Sequence, residues 1–256
     1  MGEQTLTITA LQGIPRVQPG DDLSALLIAA LEQDRLEPRA QDILVVAQKI
    51  VSKAEGRYLD LASIEPGSRA RELAADTRKD ARLVEAILSQ SAEILRAAPH
   101  VLIAVTHHGI VMANAGVDRS NLEAGDDGLR VLLLPEAPDR SARHIKERLD
   151  AHFSADIGVI VADSAGRAWR LGTVGLAIGA AGVPSLVDRR GEEDLAGRPL
   201  EVTEVGFADA VAAAAALAMG EAAEARPAAL VRGLGWTAEP RPAAALLRPK
   251  TQDLFR

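Results

Sequence analysis

The chain has 256 residues, 48% of them hydrophobic and 25% charged, with a formal net charge of −7. That length supports one large core or two small ones, and the acidic balance argues against a nucleic-acid surface. Only 2% of residues are aromatic and none is cysteine, which excludes stacking platforms, disulfides, thiolate catalysis and zinc–thiolate sites; any metal must sit on oxygen or imidazole.

The first residues carry no basic region followed by an apolar stretch, so no secretory signal is expected. No apolar run reaches the roughly 18 residues of a membrane span, and the expectation is a cytoplasmic protein without membrane contact. Leu6–Ala10 reads as a first strand, and a Gly/Pro-rich loop leads to a helix capped by Asp21 or Asp22 and running through Leu31. Ile43–Ala47 reads as a buried strand ending in the polar stretch Gln48–Gly56. Pro66 and Ser68 open a helical region. From Ala81 to Ala97 the apolar residues Val84, Ile87, Leu88, Ile94 and Leu95 keep helical spacing.

Val101–Val105 is the next strand, followed by His107, His108 and the polar loop Ala113–Asn121. Leu129–Leu134 reads as a strand and Ser141–Leu149 as a helix. Ile157–Ala162 is the most apolar strand, ending in a loop Asp163–Arg170. Gly172–Ile178 is a further strand, with a turn at Gly179–Gly182. Leu200–Thr203 reads as a strand, Phe207–Ala218 as an Ala-rich helix and Ala228–Arg232 as the last strand; from Glu239 the chain is Pro-rich and reads as peripheral. Helices and strands are interspersed irregularly, which indicates a mixed α/β (α+β) fold in one domain, residues 1–256, with its core over about 5–235.

No P-loop, Rossmann fingerprint or nucleophile elbow occurs. Asp163 stands out because an acid at the end of a very apolar strand opens into the crevice where α/β proteins bind ligands. With the Ser164 hydroxyl beside it, it suits a hard cation. On position alone it reads equally as a turn cap. Asp118 is a second acid in an unusual loop, and Glu221 a third, beside Gly220 at a helix end; a solvated surface acid is the plainer reading of Glu221. Lys49, Lys53, Arg119, Arg167 and Arg170 each follow a strand and can contact phosphate or carboxylate, or form surface ion pairs. His107 and His108 read more simply as hydrogen-bonded structural residues than as a base or ligand.

Five motifs in order carry a resemblance: Gln48–Gly56; Asn114–Asn121; Leu132–Pro135 with Pro138-Asp139 and Ser141-Ala142; Asp163–Arg170; and Met219-Gly-Glu221. Together they resemble the coenzyme F-420-0:L-glutamate ligase family, that is, the archaeal gamma-glutamyl ligase and the N-terminal domain of its actinobacterial two-domain relative. The resemblance implies a GTP-dependent ligase. GTP phosphorylates a carboxylate of the deazaflavin precursor coenzyme F-420-0, L-glutamate attacks the acyl phosphate, and GDP and phosphate leave; later glutamates are gamma-linked. It implies two Mg²⁺ or Mn²⁺ ions per site, a K⁺ ion, and two closely joined lobes forming an intertwined homodimer.

Carried over by position, Asp118, Asp163, Ser164 and Glu221 match metal ligands, with Ser164 standing where the family usually has Thr. Ile14, Pro15, Arg16, Val17, Gln48, Lys49, Lys53, Asn121, Met219, Gly220, Ala222, Ala223, Glu224, Ala225 and Arg226 match segments that contact GTP. Gln48 and Lys49 replace small hydroxyl residues of the archaeal form. Arg167 and Arg170 are expected, from charge and position, to contact anionic substrate as part of the catalytic set with Asp163. Leu246–Phe255 resembles the junction that, in the two-domain relative, leads to an FMN-binding domain; FMN is not expected to bind these residues, and the chain reads either as a stand-alone ligase or as one domain of a longer protein. The rival readings are the same chemistry on another carboxylate and a nucleotide-binding scaffold without turnover.

Overall fold

The computed structural model describes residues 5–120 and 129–254. In chain order the elements are β1 (Thr7–Ala10), α1 (Leu23–Gln33), β2 (Ile43–Ala47), α2 (Gln48–Ala54), β3 (Tyr58–Asp60), α3 (Ser68–Thr77), α4 (Ala81–Ser89), β4 (Ser91–Ala98), β5 (Val101–Thr106) and β6 (Val111–Ala113). Then come β7 (Arg130–Leu132), α5 (Pro138–Phe153), β8 (Gly158–Arg167), β9 (Arg170–Ala181), β10 (Leu186–Asp188), β11 (Glu204–Gly206), α6 (Phe207–Met219) and β12 (Ala228–Arg232). The fold is mixed α/β.

Five strands form the main sheet in the order β1-β12-β2-β8-β9. Only β2 and β8 run parallel. Their near-continuous apolar runs follow from burial on both faces. Leu44, Val46, Val159 and Val161 enter the core shared with α1 and α5. Ile43, Val45, Ile160 and Ala162 enter the core shared with α6. Asp22 caps α1 by accepting from the Ala25 N–H at 3.0 Å. A third core gathers Leu61, Leu73, Val84, Ile87, Leu102 and Val131 beside the small sheet β4-β5-β6 and the pair β3-β7.

Strand β9 has two distinctive features. Gly175 lets α6 approach closely, since a Cβ there would lie 2.5 Å from the Ala212 carbonyl oxygen. And β9 is an edge strand, two of whose N–H groups are taken by carboxylates: Ala177 donates to Asp209 Oδ1 at 2.9 Å and Ala180 to Asp139 Oδ1 at 2.8 Å.

The strands at Ile43–Ala47 and Ala228–Arg232 lie where the sequence places them. Several expectations need correction. The polar stretch after β2 is a helix, α2, because Ile50 and Val51 bury one of its sides. The single helix expected over Ala81–Ala97 stops at Ser89, and the chain continues as β4, paired antiparallel with β5. Asp163–Arg167 is not a loop but the outer half of β8, laddered to β9. Gly179–Ala181 belongs to β9 as well, and the strand expected at Leu200–Thr203 is displaced to Glu204–Gly206. The C-terminal segment is not peripheral. Ala243 is buried in the α6 core, its N–H reaches Asp139 at 2.8 Å, and Trp236 meets the Phe207 ring edge-on. No helix among the described residues is long and apolar enough to cross a membrane.

Candidate active site

The carboxyl-terminal end of the parallel pair β2–β8 opens into a cavity of about 490 Å³. Five segments converge on it: the loop Ile14–Gln18, the start of α2, Asp163–Ser164 of β8, one side of α6, and the turn Met219–Pro227. Strand ends are where α/β folds build sites, because the sheet stops there while the side chains of the connections remain.

Lys49 and Lys53 sit one helical turn apart on α2, so both reach the cavity from one side. Gln48 lines the cavity too, but it is buried and its carbonyl oxygen accepts from the Ser52 hydroxyl at 2.9 Å. Lys49 Nζ lies 2.7 Å from Asp118 Oδ2 and donates to Ser120 Oγ at 2.6 Å. Ser120 in turn donates its N–H to Asp118 Oδ1 at 2.7 Å and its hydroxyl to Oδ2 at 2.9 Å. Burial opposes ionisation of Asp118, yet Lys49 and Ser120 outweigh it and hold the carboxyl below its usual range. The loop is anchored by a two-way backbone pairing of Asp118 with Leu132 and by left-handed backbone at Asn114, Ala115 and Gly116.

Asp163 is the opposite case. Burial pushes its carboxyl up to about 6, against the Ser164 N–H and Lys49, with the charges of Asp118 and Glu221 pushing the same way as burial. Two further acids therefore act on the Asp163 carboxyl, with Lys49 opposing them. A carboxylate strained in this way, with a hydroxyl beside it, fits a hard divalent cation. The donors available are oxygens only, as Mg²⁺ or Mn²⁺ prefers. Among the described residues no three acidic or histidine side chains are already drawn together as a finished metal cage.

The turn after α6 supplies the far wall. Gly220 adopts φ 82°, ending the helix, and Glu224 folds back over it to accept from the Ala222 N–H at 2.8 Å. Arg226 lines the cavity, and its Nε is buried without a hydrogen-bond partner among the described residues. A buried donor left open in this way calls for an acceptor beyond the described residues.

Of the residues singled out in the sequence, Ile14, Pro15, Arg16, Val17, Gln48, Lys49, Lys53, Asp163, Ser164 and Met219 through Arg226 all line this cavity. Asp118 is joined to it through Lys49. Arg167 and Arg170 are not brought there: they are exposed at the tip of the β8–β9 hairpin, where Arg167 donates to the Gly172 carbonyl at 3.2 Å. Asn121 lies outside the described residues. His107 and His108 make structural hydrogen bonds, to the carbonyls of Ser89 and Pro135. Sequence reasoning missed Ser120, which braces both Lys49 and Asp118; its spacing from Asp118 is the turn signal that would have marked it. It also missed Ala212 and Ala216, whose small side chains at helical spacing leave the cavity open.

A family model described as F420-0:Gamma-glutamyl ligase matches residues 13–233. The chain is 44% identical over 253 residues to the coenzyme F420:L-glutamate ligase of Methanothermobacter thermautotrophicus, covering 98% of this chain and 99% of that protein. It is 46% identical over 226 residues to the enzyme of the same name from Methanopyrus kandleri, covering 88% and 86%. With the one from Methanocaldococcus jannaschii the identity is 42% over 215 residues, covering 84% of each.

Proposed function

Because this chain belongs to the F420-0:gamma-glutamyl ligase family, we propose that it joins L-glutamate to coenzyme F420-0 with GTP as the co-substrate. A carboxylate does not acylate an amine unaided. In this reading the γ-phosphoryl group passes to the acceptor carboxylate, the glutamate amine displaces phosphate, and an amide forms with GDP and phosphate as the other products.

The observation that carries this is the convergence on one cavity of two lysines, the open Arg226 donor and the destabilised Asp163 carboxylate. Lys49, Lys53 and Arg226 face the phosphates, lysine as a point charge and arginine as a directional donor. Asp118, Asp163, Ser164 and Glu221 would hold the two Mg²⁺ or Mn²⁺ ions. Bound there, such cations neutralise the triphosphate and the charge that develops on transfer. K⁺ is proposed as a further activator. Ile14–Val17 and Met219–Ala225 close over the nucleotide from opposite sides. A homodimer is proposed too, supported by the exposure of Trp169 and Leu171, 86% and 98%, at the hairpin tip. Such a contact would carry Arg167 and Arg170 towards the partner.

The test is phosphate release from GTP with Mn²⁺, K⁺, L-glutamate and coenzyme F420-0, with the product weighed by mass spectrometry. A product heavier by one or more glutamyl units, requiring every component, is the expected result. GTP binding without that product would move the acceptor elsewhere.

A further inference from the structure

A second cavity, of about 410 Å³, runs along the outer edge of β9. Its walls are the turn at His108–Val111, the start of α5, Asp209 in the first turn of α6, and the C-terminal segment around Ala243–Leu247. One cross-strand pair carries a lining residue of each cavity. Asp163 of β8 stands directly opposite Leu176 of β9. Directly opposed residues share a face, with Cβ atoms about 4.5–5.5 Å apart. Asp163 lines the first cavity and Leu176 the second; the neighbour Gly175 lines the first.

The chemistry of the two differs. The first offers two lysines and two arginines, Arg16 and Arg226. The second has apolar walls from Ile110, Leu176, Ile178, Leu246 and Leu247, with acceptors among them. Asp209 receives the Ala177 N–H on one oxygen and has no cationic partner among the described residues. His108 Nε2 lies 3.2 Å from the Pro135 carbonyl, which can only accept, so that nitrogen carries the proton and Nδ1 is left as an acceptor. Burial holds the ring neutral by lowering its pKa. Glu136, Asp139 and Asp253 join Asp209 on the wall and outnumber the one cation there, Arg248, so the balance disfavours a phosphate chain. The site therefore suits a flat, largely apolar ring that presents N–H donors.

We propose that this second cavity receives the heteroaromatic ring system of the acceptor substrate, whose tail then crosses the Asp163–Leu176 pair to bring its carboxylate to the phosphoryl donor. The inference rests on the ligase reading of the first cavity. A pyrimidine-fused deazaflavin ring has the required shape and imide N–H, while its anionic tail is drawn towards the lysines of the first cavity.

The test uses the full chain and coenzyme F420-0, followed by its own absorbance and fluorescence. Acceptor and GTP KM values are compared for wild type, Leu176→Trp, Ala244→Trp and Asp209→Asn. Ala244 is exposed on the cavity wall, so its variant keeps the test open if Leu176→Trp fails to fold. The expectation is an acceptor KM raised about tenfold or more by either tryptophan, and less by Asp209→Asn, with the GTP KM unchanged. An unchanged acceptor KM in Ala244→Trp and Asp209→Asn overturns the proposal. So does a change of oligomeric mass with acceptor KM intact, which would mean that a partner fills the cavity. A wild-type chain that binds no acceptor and forms no product overturns the ligase reading, and this inference with it.

Discussion

Lys49 and Asp118 meet at 2.7 Å although one lies on a helix of the main sheet and the other in a loop bridged to β7. The contact joins the lysine side of the cavity to its acids, and it favours the charged form of Asp118. Lys49→Ala should therefore do two things. It should lower kcat/KM about 10- to 100-fold, the worth of one charge-assisted contact, and it should raise the Asp118 pKa. Steady-state kinetics with NMR titration of the carboxyl checks both; wild-type kinetics in the variant would remove Lys49 from the site.

Asp163 predicts a pH dependence with a definite sign. Its folded pKa is raised to about 6 from an ordinary 3.8. The stabilising effect of its bound proton is present below the unfolded value and is lost as pH rises through about 6. At pH 7 the metal-free protein thus carries an unfavourable charge. Asp163→Asn should stabilise the metal-free fold by about 1–3 kcal/mol at pH 7 and by nothing near pH 3, while abolishing turnover. Denaturant melts at the two pH values decide it; equal stabilisation at both would contradict the burial argument.

The same proton competes with the cation. Mn²⁺ affinity, followed by its electron paramagnetic resonance signal, should be flat above pH 7 and fall as pH drops through about 6, by up to tenfold per unit. Affinity insensitive to pH between 5 and 7 would take Asp163 out of the metal-ligand set.

Arg226→Ala should weaken GTP binding about 10- to 100-fold without lowering Tm, because the Nε it removes has no partner within the described residues. Calorimetric titration beside a thermal melt separates the two effects. A lowered Tm with intact binding would make Arg226 a structural residue.

Asp42→Ala tests the frame behind the site. Asp42 is buried and takes three close contacts from the Arg232 guanidinium, at 2.6–3.1 Å. Removing it leaves a partly buried cation without its carboxylate, and about 2–4 kcal/mol of stability should be lost in urea melts.

The site was legible where chemistry depends on residue type in a fixed local order. Asp163-Ser164 and the run from Met219 to Arg226 are each contiguous, so the sequence displays them whole. The fold was less legible where tertiary pairing overrides local pattern. Ile94 and Leu95 continue the helical spacing of Val84 and Ile87, and no Gly or Pro stands between; only the ladder to β5 makes Ser91–Ala98 a strand. The outer half of β8 is polar and largely exposed, yet its antiparallel ladder to β9 keeps it extended. In α2, a turn of polar residues hides Ile50 and Val51, the two that bury it. Ser120 and the second cavity need contacts between distant segments, which no local reading supplies.

The carboxylates of Asp139 and Asp209 also guard the rim of the main sheet. An edge strand with free N–H groups is a template on which another chain can build, and β9 ends that sheet. By occupying the N–H groups of Ala177 and Ala180, the two acids place negative charge where a foreign strand would have to dock. The sheet is thereby closed to runaway growth along its buried half.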